Sequence, residues 1–239
     1  MSPLFDKVAG ALRDARSARS SESVEGERSL RSGGERSEPA RHEGPSSAIV
    51  FQAAALLLAY PEEELFDQLD VIETALAGTP AAARFGPVLD HLRSQPLREG
   101  QSFHVQEFDL SRRHALHLSY WTDGDTRRRG EVLAEIKGVY RDSGLLGDLS
   151  GELPDYLPIM LEFAVADSDR GEGLLQRFRA SLELLRIGLT EDHLPHAGVL
   201  TAICDCLPGE SPKSRLEVQA MVDEVAPLEF VGLSEVTRR

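Results

Sequence analysis

The chain has 239 residues, of which 41% are hydrophobic, and a formal net charge of −14 from 26 Lys and Arg against 40 Asp and Glu. That balance repels nucleic acid phosphates and anionic lipid, so it argues against a DNA, RNA or membrane-surface partner and favours a basic one. Its only cysteines, Cys204 and Cys206, sit too close on one helical pattern for an ordinary disulfide, which fits a reducing compartment.

Residues 1–46 carry eight basic and eight acidic residues and few large apolar ones. Burial there cannot offset the entropy of ordering the chain. Within the segment, residues 4–18 (LFDKVAGALRDARSA) place Leu4, Val8 and Leu12 on one helical face, and residues 19–46 read as a linker. The expectation is a disordered or weakly helical, dispensable extension over 1–46, an all-helical domain over 47–225 and a flexible tail over 226–239. The extension's charges cancel, so the whole net charge lies on the remainder. No apolar stretch follows Lys7 and Arg13 as a secretory leader requires. The longest apolar run, Ala48 to Tyr60, is interrupted by Gln52 and too short to span a bilayer. A cytoplasmic protein without membrane insertion is expected.

Ser46-Ser47 offers a cap for AIVFQAAALLLAY, which is apolar nearly all round and so predicts a buried central helix. Pro61 and the acidic run Glu62–Glu64 suit the start of the next helix, in which Leu65, Leu69, Ile72 and Leu76 form a stripe. Gly78 ends it. Thr79-Pro80 begins a third segment with the face Phe85, Val88, Leu89 and Leu92, which Pro87 is expected to break.

The stretch FDLSRRHALHLSYWTDGDTRRRG (108–130) follows. Its first half reads as a helix from about Asp109 to Trp121. Leu116, Leu118 and Tyr120 alternate as in a strand, but helical patterns on both sides favour helix. The turn Asp123-Gly124-Asp125-Thr126 lets Gly124 adopt positive φ and Asp125 or Thr126 cap the next helix, marked by Val132, Ile136 and Val139 and stopped at Gly144. Downstream, in ELPDYLPIMLEF (152–163), Pro154 suits a first helical position and Pro158 delays the regular helix, with Leu157, Leu161 and Ala164 facing inward. Leu175, Phe178, Leu182 and Leu185 mark one more helix, and His196, Leu200, Ile203 and Leu207 another, closed by Pro208-Gly209. Val218, Met221, Val222 and Val225 mark a last, weak one. The sum is an all-α, single-domain bundle of about nine or ten helices.

Little in this pattern can carry catalysis. His114 and His117 are three residues apart but lack a third ligand, and read as partly exposed helix histidines; no metal is expected. His193 and His196, flanking Pro195, offer less. Cys204 and Cys206 read as filler in an apolar helix. Asp123 and Asp125 bracket a glycine as a capping turn does, with no companion nucleophile. The sequence has no nucleophile elbow, phosphate-binding loop or dinucleotide fingerprint, so no enzyme is expected. A DNA-binding helix-turn-helix over 109–143 conflicts with the acidic charge. Arg127, Arg128 and Arg129 open a helix, where positive charge opposes the macrodipole. A solvated basic face and an anion site are two readings. Ion pairs to Asp109, Asp123, Asp125 or Glu162 are favoured, because consecutive arginines point to different sides of a helix.

DGDTRRRG after an aromatic-ended helix, followed by ELPDYLPIMLEF, closely resembles the nitrate reductase delta-subunit family over roughly residues 47–208. These are the NarJ-type chaperones for assembling the molybdenum cofactor into respiratory nitrate reductase. The resemblance implies an all-helical, non-catalytic protein that holds no cofactor of its own. It would bind the signal-like N-terminal helix of the apo catalytic subunit in a groove, keeping that subunit from premature membrane docking and open to cofactor insertion. On matching positions the resemblance marks Tyr120, Asp123, Gly124, Asp125, Thr126, Arg127, Arg128 and Arg129, then Leu153, Pro154, Asp155, Tyr156, Leu157, Pro158 and Glu162. Many relatives carry His where this chain has Asp123. The two segments are expected to pack together as one wall of the client groove, with acidic rim residues receiving the client's basic side chains. Replacing Asp125 and Asp155 would then weaken client binding with helicity intact. The alternative is a metallochaperone that itself carries molybdopterin on Arg127–Arg129.

Overall fold

The computed structural model describes residues 45–124, 127–145, 149 and 151–225. Among them are eleven α-helices and one short π-helical segment, slightly more than the periodicity suggests. The expectations for residues 1–44 and 226–239 lie outside the described residues. No helix of the described residues is long and apolar enough to cross a membrane.

Helix α1 (Pro45–Leu58) begins at Pro45, one residue ahead of the expected Ser46-Ser47 cap. Proline's fixed φ and missing amide cost nothing at a first helical position. From Val50 to Leu58 every side chain is buried, Gln52 included, as an apolar run without a polar face requires. The helix lies chiefly against α7 (Leu157–Ala166), and also against α2 (Glu63–Leu76) and α10 (Ala197–Cys206). In α2 the stripe Leu65, Leu69, Ile72 and Leu76 is buried, with Glu63 and Glu64 in the first turn.

Helix α3 (Ala82–Arg93) runs through Pro87 rather than breaking there. A proline disfavours helix in the residue before it by crowding that residue's Cβ, and Gly86 has none. The face Phe85, Val88, Leu89 and Leu92 is buried. Gly198 of α10 crosses α3 so closely that a Cβ there would sit 2.0 Å from the Arg84 carbonyl oxygen.

The expected helix over 109–121 forms only from Leu118 onward. Before it, α4 (Leu97–His104), not apparent in the sequence, runs into a π turn over Val105–Asp109, closed by Leu110 N donating to Val105 O at 2.9 Å. The chain then leaves the helix. His117 is extended (φ −87°, ψ 105°) and forms an isolated antiparallel bridge with Tyr156. Leu118 N donates to Asp155 O at 3.0 Å and Leu157 N to Leu116 O at 2.9 Å. Leu116 and Leu118 therefore flank one extended residue, His117, rather than forming a strand. Its partner lies in the second motif, too far along the sequence for a local pattern to show.

Helix α5 (Leu118–Asp123) is short and followed, beyond the turn, by α6 (Arg127–Asp142). Gly144 at φ 75° follows the end of α6, a conformation cheap only for glycine. Helix α7 starts at Leu157 with Pro158 in its first turn, so the second proline does set the late start, while Pro154 stays in the preceding turn. The single helix expected around Phe178 is two, α8 (Ser168–Arg177) and α9 (Arg179–Glu191), separated at Phe178, whose amide is shared between Leu174 O and Leu175 O. Helix α9 packs against α10, α5 and α11 (Arg215–Val225).

A buried clasp fastens the segment after α10. Glu183, fully buried, accepts from Arg179 Nε at 2.9 Å, Ser211 Oγ at 2.7 Å and Arg186 Nε at 2.5 Å. The two arginines reach on to the Pro208 and Pro212 carbonyls.

Candidate functional site

The two motifs meet at Asp155. Its carboxylate is fully buried, and Oδ2 accepts from Ser119 Oγ at 2.5 Å, Ser119 N at 3.2 Å and Arg129 Nη2 at 3.5 Å. Helix α5 has no capping side chain of its own at His117. Asp155 takes that role from a distant segment, presenting negative charge to the exposed amides of the helix start. Arg129 of α6 joins the same carboxylate and also donates from Nε to Ser119 Oγ at 3.1 Å. One buried carboxylate thus couples α5, α6 and the turn before α7. Tyr140 adds a second tie, its hydroxyl donating to Pro154 O at 2.8 Å, and burial raises that phenol's pKa.

The three arginines diverge. Arg128 faces Asp123 at 3.3 Å, Arg129 turns inward to Asp155, and Arg127 is exposed. The Arg128 pair is one of those expected; the Asp155 pair was not foreseen, because nothing local links the two positions. Gly124 adopts φ 56°. Asp125 and Thr126 lie outside the described residues. In the second motif Leu157 and Pro158 are buried in the core, and Glu162 is half-buried, its carboxyl raised by burial. Tyr156 packs its ring 5.3 Å from that of His117, and burial, then the charges of Glu152 and Asp109, raise its phenol. Leu153 is exposed. Asp155, being 0% exposed, lies beneath the surface and not at the expected rim.

Above this junction opens a cavity of about 170 Å³, lined by Leu110, Ala115 and Tyr120 among apolar surfaces and by Asp109, Ser111, Arg112, His117 and Arg129 among polar ones. Trp121 closes its loop by donating from Nε1 to Ala115 O at 3.0 Å. Leu110 is 74% exposed. Sequence reading passed over Leu110 and Ala115 because it assigned both to a continuous helix.

The loop carrying them is pinned from behind by His114, which is buried rather than partly exposed and is not on a helix. Its Nδ1 lies 3.1 Å from Glu107 Oε2 and its Nε2 2.9 Å from Asp192 Oδ2. Arg113 adds Asp192 at 3.2 Å. No sequence signal marks this clasp, whose members come from the π turn, the loop and the end of α9. Among the described residues no group of three or more His, Cys, Asp or Glu is placed to hold a metal ion. Cys204 and Cys206 are free thiols; burial raises both, Cys206 to about 11, which keeps them protonated and inert.

Residues 74–202 match the family described as nitrate reductase delta subunit. Among individual proteins, the chain is similar to the nitrate reductase-like protein NarX of Mycobacterium tuberculosis, with 38% identity over 65% of this chain and 24% of NarX. It therefore spans about a quarter of that relative's length. NarJ of Bacillus subtilis is 26% identical over 71% of this chain and 94% of its own. The nitrate reductase molybdenum cofactor assembly chaperone NarJ of Escherichia coli K12 is 30% identical over 49% of this chain and 52% of its own. A solved structure from Archaeoglobus fulgidus, of a protein assigned provisionally to redox enzyme maturation, aligns with a TM-score of 0.53 at 18% identity, covering 71% of this chain and 98% of that one, and shares the fold. The matched residues run from the end of α2 to α10 and include both motifs and the cavity above them, so the chain belongs to the nitrate reductase delta subunit family.

Proposed function

We propose that this protein is a system-specific, non-catalytic chaperone for the apo catalytic subunit of a respiratory nitrate reductase, which it holds ready for molybdenum cofactor insertion. The client's basic, signal-like N-terminal helix docks over the cavity between the two motifs. The observation that carries this reading is the open, partly apolar cavity with Leu110 standing exposed at its mouth, on a body of strongly negative charge. Two large side chains, Leu110 and Leu153, offer apolar contact beside the acids Asp109 and Glu152, both more than half exposed. An amphipathic helix laid in a groove uses this combination, with apolar anchors for affinity and opposite charge for steering. Asp155 and Asp123 support the wall without touching the client. The chain's own family and its NarJ relatives, which are nitrate reductase molybdenum cofactor assembly chaperones by name, support the same reading. Because Arg127, Arg128 and Arg129 diverge, they cannot grip one pterin phosphate, and no observation favours the cofactor-carrier alternative.

The test is calorimetric titration of a synthetic peptide corresponding to the N-terminus of the same organism's nitrate reductase catalytic subunit. Losing most of a leucine's burial costs about 2 kcal/mol, so Leu110→Ser should weaken binding about thirtyfold. As Leu110 is exposed, its thermal midpoint should not move. Unchanged peptide affinity in Leu110→Ser would refute this placement of the client.

A further inference from the structure

We infer that residues 4–18 of this chain are a built-in competitor for the same cavity, an internal mimic of the client that must be displaced before the client binds. The inference rests on the chaperone reading above. Leu4, Val8 and Leu12 recur at helical spacing, while Lys7, Arg13 and Arg16 outnumber Asp6 and Asp14 and Arg19 follows directly. This is a short, basic, amphipathic sequence attached to a body that carries the whole net charge of −14. The receiving surface is described above: Leu110 and Leu153 exposed beside an open cavity, with Asp109 and Glu152 alongside. Arg112 and Arg129 also line the cavity, so the cations of a docked stripe would face Asp109 and Glu152 at its edge while the stripe itself covers Leu110 and Leu153.

Geometry permits the return. Residues 19–44 separate the stripe from the start of α1 at Pro45. Twenty-six residues can span up to about 85 Å, whereas a domain of some 180 residues is about 40 Å across, so the tether reaches any face. A tethered segment acts at an effective concentration of about 1 mM; if its intrinsic Kd is about 100 μM, it weakens a competitor's apparent affinity about tenfold. That is enough to reject weakly basic helices while a cognate client still binds.

The experiment uses the full chain and a full-chain variant, Leu4→Asp with Val8→Asp and Leu12→Asp, whose substitutions lie outside the described core. The catalytic-subunit peptide should bind the variant about tenfold more tightly than the unaltered chain. A synthetic peptide of residues 1–20 should bind the variant, and bind it more weakly once Leu110→Ser is added. Equal affinities of the client peptide for the two chains, with no binding of the 1–20 peptide, would overturn the inference and leave the chaperone reading standing. Binding of the 1–20 peptide alone, with the client peptide bound by neither chain, would sink the chaperone reading and support the docking. A gain in affinity that disappears as the protein is diluted would assign the occupant to a second copy and overturn the intramolecular arrangement.

Discussion

Asp155→Ala should destabilise the fold rather than act on the client directly. Its Oδ2 accepts two donors from Ser119 and one from Arg129, and each hydrogen bond to a charged acceptor contributes about 1.5–3 kcal/mol. Removing the carboxylate also strands the Ser119 amide at the start of α5 and leaves Arg129, only 19% exposed, beside an empty space. Breaking a buried pair in this way costs about 3–5 kcal/mol. The other carboxylate oxygen, Oδ1, has no hydrogen-bond partner among the described residues, so deleting it relieves an unmet desolvation cost. The net loss should be about 2–4 kcal/mol, read from urea unfolding followed by far-ultraviolet circular dichroism, with a fall in thermal midpoint of about 4–16 °C for a domain of this size. Asp155→Asn keeps an acceptor for Ser119 and loses only the charge facing Arg129, so it should lie between. An Asp155→Ala protein within about 0.5 kcal/mol of the unaltered chain, yet unable to bind the client peptide, would refute the structural role and return Asp155 to the binding surface.

Three further outcomes follow from other parts of the fold. His91, His104 and His196 gather around Phe103 and Phe108, and burial lowers all three, His196 to about 3. The unfolded chain therefore binds more protons below about pH 6.5; stability is full above that value and lost as pH falls toward 3. At pH 5 His196 alone should cost about 2 kcal/mol relative to neutral pH, and His196→Leu should show a smaller loss between pH 7.5 and 5; identical losses would count against the buried neutral imidazole. Gly198→Ala and Gly171→Ala would place a Cβ 2.0 Å from Arg84 O and 2.2 Å from Ala164 Cα, so each should cost about 3 kcal/mol in denaturant titration. Normal stability in either would mean the helices part more easily than their contacts imply. Glu183→Ala should cost about 3–5 kcal/mol by leaving buried Arg179 and partly buried Arg186 without their shared acid, and a double-mutant cycle with Arg179→Ala should show strong coupling.

How much of this was legible beforehand depends on the range of the forces involved. The all-α class, the stripes of α2 and α3, the fully apolar α1, the stop at Gly144 and the late start of α7 at Pro158 are written in local periodicity and in proline and glycine chemistry, so the chain states them directly. The family motifs are also local strings, which is why the resemblance over 120–130 and 153–158 is visible in the sequence alone. Pro87 misled because the rule that proline breaks a helix ignores the glycine before it. The loop over 110–117 misled because it is held by hydrogen bonds of Leu116 and Leu118 to Leu157 and Asp155, whereas helical neighbours dominated the local pattern. The acid that caps α5, the histidine gripped between Glu107 and Asp192, and the exposure of Leu110 all arise where distant segments meet. Sequence alone determined which residues prefer helix and which must be buried. Only the tertiary structure decided which charges neutralise one another and which apolar side chain is left facing solvent, because pairing energies depend on distances that folding, and not chain order, sets.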